Sequence, residues 1–219
     1  MAVNEAHSPR SVSFGKRVFY RFVQLVARYV LVTMFDLRCL HRERLDFAGS
    51  ALILSTHQSH FDPLLIGGTF NERLSYLARR SLFKNPLFGL VIRALDAIEL
   101  DRDRSGLAGL KETLKRLKQG QKVLIFPEGT RSTNGKIAPL KPGFLSVARR
   151  SRAPLIPVAI NGAYEVLPRV TLIPTYYPMR VVVGEVIHPD DYLHLEDHQI
   201  LALISQRLHD CDAQARTSR

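Results

Sequence analysis

The sequence predicts an α/β fold with a mostly parallel central sheet flanked by helices, preceded by an N-terminal amphipathic helix. Three observations predict it. After Gly49 the chain alternates short, almost wholly apolar runs with helical segments, the pattern of βαβ units. Before Gly49 lies one long apolar stretch interrupted only by a narrow polar stripe. No linker, repeat or low-complexity segment divides the 219 residues, a length that suits one core.

The first element is a helix over residues 14–37. On a helical wheel Arg17, Arg21, Gln24 and Arg28 fall in one narrow sector, while Phe19, Phe22, Val23, Val26, Tyr29 and Val30 cover the rest. Three arginines in its body argue against a membrane-spanning helix. The expectation is an interfacial helix whose stripe meets lipid phosphates. An amphipathic helix docked on its own domain is the alternative. Residues 1–48 are therefore read as a membrane-interface segment and residues 49–219 as the main domain. The first dozen residues are polar, so no cleavable signal peptide is expected.

Strands are expected over residues 51–55, 97–100, 122–126, 155–160 and 179–183. Each is a short apolar run bounded by turn or helix signals. Helices are expected between them over residues 63–70, 86–95, 106–118 and 142–150. A closing helix should run over residues 192–207, with the last dozen residues frayed. In sheets of this kind ligands gather at the carboxyl ends of the strands.

Lys and Arg number 31 against 20 Asp and Glu, a formal net charge of +11. That surplus points to a polyanionic partner: nucleic acid, anionic lipid or a phosphorylated substrate. Cys39 and Cys211 are the only cysteines, too few for a disulfide framework, so a reducing, cytosolic face is the simplest setting. The eight histidines and two cysteines form no His/Cys cluster of zinc-ligand kind, and no metal is expected.

Two segments, each directly after an expected strand, carry groups capable of chemistry. The first is Thr56-His57-Gln58-Ser59-His60-Phe61-Asp62-Pro63. A histidine in such a loop suits a general base, and Asp62 is near enough to orient it and stabilise its imidazolium. Asp62 before Pro63 also reads as an ordinary helix N-cap, which would leave His57 a surface residue. His60 ranks below His57. The second segment is Phe126-Pro127-Glu128-Gly129-Thr130-Arg131-Ser132. Gly129 permits close backbone approach, Arg131 offers a planar fork for phosphate, and Glu128 is expected to orient that arginine or meet a substrate hydroxyl. Read alone, this is also an unremarkable solvated turn.

Taken together, the two segments resemble the glycerophospholipid acyltransferase family, in particular its 1-acylglycerol-3-phosphate acyltransferase branch. That branch has a His-x4-Asp motif followed by a Pro-Glu-Gly-Thr-Arg block. Further stretches follow in the family's order. Ala97-Ile98-Glu99-Leu100-Asp101-Arg102 resembles the second block, and Leu155-Ile156-Pro157-Val158-Ala159-Ile160 resembles the fourth. Leu140-Lys141-Pro142-Gly143-Phe144 and Ala78-Arg79-Arg80-Ser81-Leu82-Phe83 resemble segments that carry basic residues near the site. Thr56 and Arg79 depart from the Asn and Lys common in relatives.

The resemblance implies that His57, oriented by Asp62, deprotonates a lysophospholipid hydroxyl that then attacks an acyl thioester of CoA or acyl carrier protein. Lysophosphatidic acid is the default acceptor, and another lyso-lipid such as a lyso-ornithine lipid the alternative. Arg79, Arg102, Arg131 and Lys141 are implied to hold the acceptor phosphate, with Glu128, Gly129 and Thr130 completing that substrate-binding loop. No cofactor is implied beyond the acyl donor, and the expected setting is the cytoplasmic face of an anionic membrane. Rival readings are a thioesterase using the same His/Asp pair, or a non-catalytic membrane- or nucleic-acid-binding module. Arg149-Arg150-Ser151-Arg152 is a compact basic run, but no nucleic-acid-binding signature accompanies it, and no nucleic-acid partner is expected.

Overall fold

The computed structural model describes residues 14–79, 92, 97–100, 107–168, 171 and 173–218. The expected helix over residues 86–95, apart from Ile92, and Arg102 lie outside the described residues, as does the side chain of Arg79.

The strands are β1 (Arg38–Leu40), β2 (Ala51–Ser55), β3 (Leu74–Arg79), β4 (Ala97–Leu100), β5 (Lys122–Ile125), β6 (Leu155–Asn161) and β7 (Arg180–Val183). They form one sheet in the order β1-β7-β6-β2-β5-β3-β4, parallel except between β6 and β7. The helices are α1 (Phe14–Phe35), α2 (Asp62–Thr69), α3 (Leu107–Lys118), α4 (Leu145–Ser151), α5 (Ala163–Val166), α6 (Pro189–Tyr192) and α7 (Asp197–Thr217). Parallel strands need crossovers, and the helices that supply them cover both faces of the sheet.

That two-sided cover explains why β2 reads as Ala-Leu-Ile-Leu-Ser with every residue buried. Ile53 points toward α1 and α2, into a cluster with Tyr20, Leu31, Leu65 and Ile66. Leu52 and Leu54 point the other way, toward Leu117, Leu145, Ile200 and Ile204 of α3, α4 and α7. Period-two alternation therefore feeds two cores rather than one core and solvent.

Four departures from the sequence reading have physical causes. Arg38–Leu40, which fell in the N-terminal segment, is the edge strand of the sheet, paired parallel with β7. It has only three residues, too short for a periodic signal. Strand β3 was also unforeseen; its alternation is broken by Ser75, which is buried and accepts a hydrogen bond from Arg116 at 2.8 Å. The stretch expected as one helix over residues 142–150 begins as a 3-10 turn, Pro142–Phe144, before α4 takes over.

The fourth concerns the C-terminus. It is not frayed: α7 continues to Thr217 with Ile200, Ile204, Leu208, Cys211 and Ala215 buried along one face. Cys211 and Ala215 pack on Ala159 and Val182, and Asp212 accepts hydrogen bonds from Asn161 at 3.0 Å and Arg216 at 2.8 Å. The side chains turn small there because the helix runs close over β6 and β7.

Helix α1 resolves the two readings of its stripe. Gln24 is buried and donates to the carbonyls of Gly67 and Phe70, both at 2.8 Å. Arg28 donates to the carbonyls of Gly68 at 2.7 Å and Phe70 at 3.0 Å. These are the orphan carbonyls at the C-terminal end of α2, which intrahelical bonds leave unsatisfied. Gln24 and Arg28 therefore face the protein, not lipid phosphates. The apolar face looks outward instead: Phe14, Phe22, Leu25, Tyr29 and Met34 are exposed. Of the stripe, Gln24 and Arg28 are docked on the domain beside buried Tyr20 and Leu31, Arg21 is exposed, and the side chain of Arg17 lies outside the described residues.

Candidate active site

Strands β2 and β5 are adjacent and parallel, with Ala51 opposite Lys122 and Leu54 opposite Ile125. Their carboxyl ends therefore release the His57 and Glu128 loops side by side, one strand spacing or about 5 Å apart. This register closes a gap of seventy-one residues in sequence.

His57 is held on four sides. Its Nδ1 lies 2.7 Å from Oδ2 of Asp62. Its backbone N–H donates to Glu128 Oε1 at 2.8 Å, and its carbonyl accepts the N–H of Ser132 at 2.7 Å. The ring stacks on Phe126, centroids 3.9 Å apart and planes inclined by 17°. Because an ionised carboxylate can only accept, this bond puts a proton on Nδ1, and in the neutral ring that leaves a lone pair on Nε2. Just before it, Thr56 Oγ1 accepts the N–H of Ile160 at 2.9 Å, tying the loop's origin to β6.

Asp62 is fully buried, and the same Oδ2 also accepts the N–H groups of Gln58 at 2.6 Å and Ser59 at 2.8 Å. Its carboxylate turns back into the preceding loop instead of capping α2. The capping reading of Asp62 does not hold: Phe61 is the N-cap, Asp62 is the first residue of α2, and its side chain turns to His57 instead. His60 is exposed at the surface.

Glu128 departs from expectation. It is buried, and both its oxygens are occupied by backbone N–H groups: Oε1 by His57 and Oε2 by Ala138, each at 2.8 Å. It fastens the two loops together rather than reaching for a substrate hydroxyl. Burial pushes its carboxyl above the usual range, opposed by the hydrogen bonds from Ala138 and His57.

Gly129 is exposed with φ of +68°, in the left-handed region, and the Lys141 side chain lies over it. A Cβ at that position would sit 3.0 Å from Lys141 Cδ and 3.2 Å from its Nζ. The backbone joins the same two segments: Lys141 N–H donates to the Pro127 carbonyl at 2.8 Å. Thr130 and Arg131 are partly exposed beside them. The structure thus brings His57, Asp62, Glu128, Gly129, Thr130, Arg131 and Lys141 into one region at the ends of β2 and β5. Of the other expected phosphate ligands, Arg79 is placed at the C-terminal end of the neighbouring strand β3.

Next to this region is a largely apolar cavity of about 240 Å³, walled by Leu110, Ile125, Phe144 and Val147. Phe126, on which His57 stacks, also lines it, as do Gly129 and Lys141. Sequence reasoning gave Phe126 no role; an aromatic at the end of the strand neighbouring a loop histidine was the available signal. It also missed the latch of Gln58, whose side chain donates to the Gly135 carbonyl at 3.2 Å and accepts the Tyr164 N–H at 3.3 Å. Both cysteines are free, and burial pushes each thiol up to about 11, far from the reactive thiolate range.

Comparison with known proteins places the chain as a whole. The family model described as Acyltransferase matches residues 36–161. A 1-acyl-sn-glycerol-3-phosphate acyltransferase of Bacillus subtilis (strain 168) is 28% identical over 194 residues, covering 87% of this chain and 93% of that protein. A protein of the same name from Pseudomonas aeruginosa is 34% identical over 160 residues, 71% of this chain and 60% of that one. Among solved structures, the 1-acyl-sn-glycerophosphate (LPA) acyltransferase PlsC from Thermotoga maritima shares the fold. Its TM-score is 0.80 at 22% identity, with 94% of this chain and 83% of that chain covered. Since the matched stretch runs from before β1 to the end of β6 and contains both loops, the chain belongs to the acyltransferase family.

Proposed function

We propose that this acyltransferase esterifies the free hydroxyl of a lysophospholipid, 1-acylglycerol-3-phosphate in the first instance, to give phosphatidic acid. The acyl chain comes from acyl-CoA or acyl carrier protein, and the enzyme works from the cytoplasmic face of an anionic membrane. One observation carries the reading: the 2.7 Å contact between His57 Nδ1 and the buried Asp62 carboxylate, beside a loop bearing Arg131. The names of the Bacillus and Pseudomonas relatives support the acceptor.

In the proposed reaction, His57 Nε2 removes the acceptor's hydroxyl proton while Asp62 stabilises the imidazolium. The oxygen attacks the thioester carbonyl. The tetrahedral intermediate collapses with loss of the thiolate, which takes the proton back from His57 and leaves as free thiol. No protein nucleophile is required, because holding both substrates together supplies proximity. Arg131 and Lys141, with Arg79 and Arg102, hold the acceptor phosphate. The apolar cavity beside Phe126 is suited to a hydrocarbon chain. The exposed apolar face of α1 supports an interfacial position, in which the acceptor reaches the site without crossing water. The route uses no resident cofactor or metal.

The test is thiol release from acyl-CoA and from acyl carrier protein on vesicles with and without lysophosphatidic acid, for wild type and His57→Ala. Release that requires the acceptor, yields phosphatidic acid and vanishes in the variant is the expected result. Release indifferent to the acceptor would make the protein a thioesterase and overturn the proposal. Release only with another lyso-lipid would keep the chemistry and replace the acceptor.

A further inference from the structure

Among the described residues, every exposed large apolar side chain lies on α1 or in one other place, the connection from α5 to β7. There Ile173 is 79% and Tyr176 70% exposed. This connection is fastened at both ends. At its start, the Leu167 carbonyl accepts Ser59 Oγ–H at 3.2 Å, from the loop that carries His57. Its base is closed by Thr175, whose N–H donates to the Val166 carbonyl at 2.8 Å and whose hydroxyl donates to the Glu165 carbonyl at 3.0 Å. At its end, Met179 N–H donates to the Phe35 carbonyl at 3.0 Å and the Met179 carbonyl accepts Arg38 N–H at 3.1 Å, joining it to the end of α1. Tyr177 packs into the core that also holds Tyr20 and Leu31.

The connection thus bridges α1 and the His57 loop, yet leaves two large apolar side chains without cover. Its described residues, Leu167, Pro168, Thr171 and Ile173-Pro174-Thr175-Tyr176-Tyr177-Pro178, include two tyrosines and no acid. Apolar residues with tyrosine and no acid are a composition favoured at a lipid headgroup boundary. The overall charge of +11 favours an anionic leaflet. We infer that the segment carrying Ile173 and Tyr176 is a second membrane contact. It acts together with α1 to hold the bilayer against the His57 end of the sheet. The inference rests on the reading of α1 as an interfacial helix, and the experiment separates the two.

The chain contains no tryptophan, so a single introduced indole reports one place. Full-length Ile173→Trp, Tyr176→Trp and, on α1, Phe22→Trp are each moved from detergent into phosphatidylglycerol/phosphatidylcholine vesicles with brominated acyl chains. Two loop positions guard against one variant failing to fold. Blue-shifted emission quenched by bromine at all three positions is the expected result. Quenching at Phe22→Trp alone overturns the second contact and leaves the α1 reading standing. Quenching at the loop without Phe22→Trp keeps the contact and removes the α1 reading, and quenching nowhere overturns both. A blue shift that grows with protein concentration, without bromine quenching, makes the patch a self-association surface and overturns the inference. A functional arm follows: Ile173→Asp lowers turnover of vesicle-borne acceptor while leaving turnover of detergent-dispersed acceptor unchanged, and equal turnover in both also overturns it.

Discussion

The backbone N–H of His57 donates to Oε1 of Glu128 at 2.8 Å, so a buried carboxylate on one loop fixes the chain position of the histidine on another. The other oxygen of Glu128 holds Ala138, and the two bonds leave no oxygen bare. Replacing Glu128 with Ala strands two N–H groups, at a cost of about 1–3 kcal/mol each where water cannot reach them. Glu128→Gln keeps one acceptor and sets an amide N–H against the other donor. Both variants are expected to lower kcat more than the acceptor KM, with Glu128→Ala also lowering the melting temperature. A selective rise in acceptor KM would instead mean that Glu128 touches the substrate.

Asp62 collects three donors on one oxygen, including His57 Nδ1. Asp62→Asn keeps the size and an acceptor but removes the charge that, in the proposed reaction, stabilises the imidazolium. We expect kcat to fall by roughly 10²- to 10⁴-fold with little change in KM, measured by thiol release. Retention of wild-type kcat would rule out the pair as the source of catalysis.

Arg28 and Gln24 cap the C-terminal end of α2, whose first residue is Asp62. Helix α2 carries Gly67 and Gly68 in its last turn, where intrinsic helix stability is low. Arg28→Ala removes two charge-assisted bonds, and a loss of about 1.5–3 kcal/mol in unfolding free energy is expected. Hydrogen exchange should quicken first in α2. Uniform protection between variant and wild type would show that the cap contributes nothing.

Gly129 tolerates φ of +68°, and Lys141 lies over it. Gly129→Ala adds a methyl in the left-handed region, a cost of about 1–2 kcal/mol, and displaces the end of Lys141. The expected signature is a raised KM for lysophosphatidic acid with kcat nearly retained. Lys141→Ala should match it, and the double variant should add little more.

Asp36 is held below its ordinary value of 3.8, chiefly by the hydrogen bond from Arg180 at 2.9 Å. A carboxylate whose folded pKa is depressed contributes stability above its unfolded value and loses it as pH falls through the folded value. Asp36→Asn, which also accepts the φ of +43° seen at this position, should therefore destabilise at neutral pH. The difference from wild type should vanish in strong acid. Urea denaturation at about pH 7 and about pH 2 measures both ends.

The chain's own pattern determined much of this protein. The buried run Ala51–Ser55 lies in a strand at the expected residues, because a strand covered on both faces is apolar almost throughout. The His57-x4-Asp62 spacing sufficed for a contact within one loop, since five residues of loop can fold back on themselves. Two kinds of feature were not legible. Arg38–Leu40 and the end of α7 escaped because three residues carry no period, and because small residues such as Ala215 signal closeness to a neighbour only once the neighbour is known. The role of Glu128 and the inward turn of Gln24 and Arg28 on α1 depend on partners distant in sequence. Only the parallel register of β2 and β5 sets Glu128 under His57, and only the docking of α1 gives Gln24 and Arg28 the bare carbonyls of α2. A sequence specifies which groups must be satisfied, but the partner that satisfies them is decided when the sheet is assembled and opposing elements come within hydrogen-bonding distance.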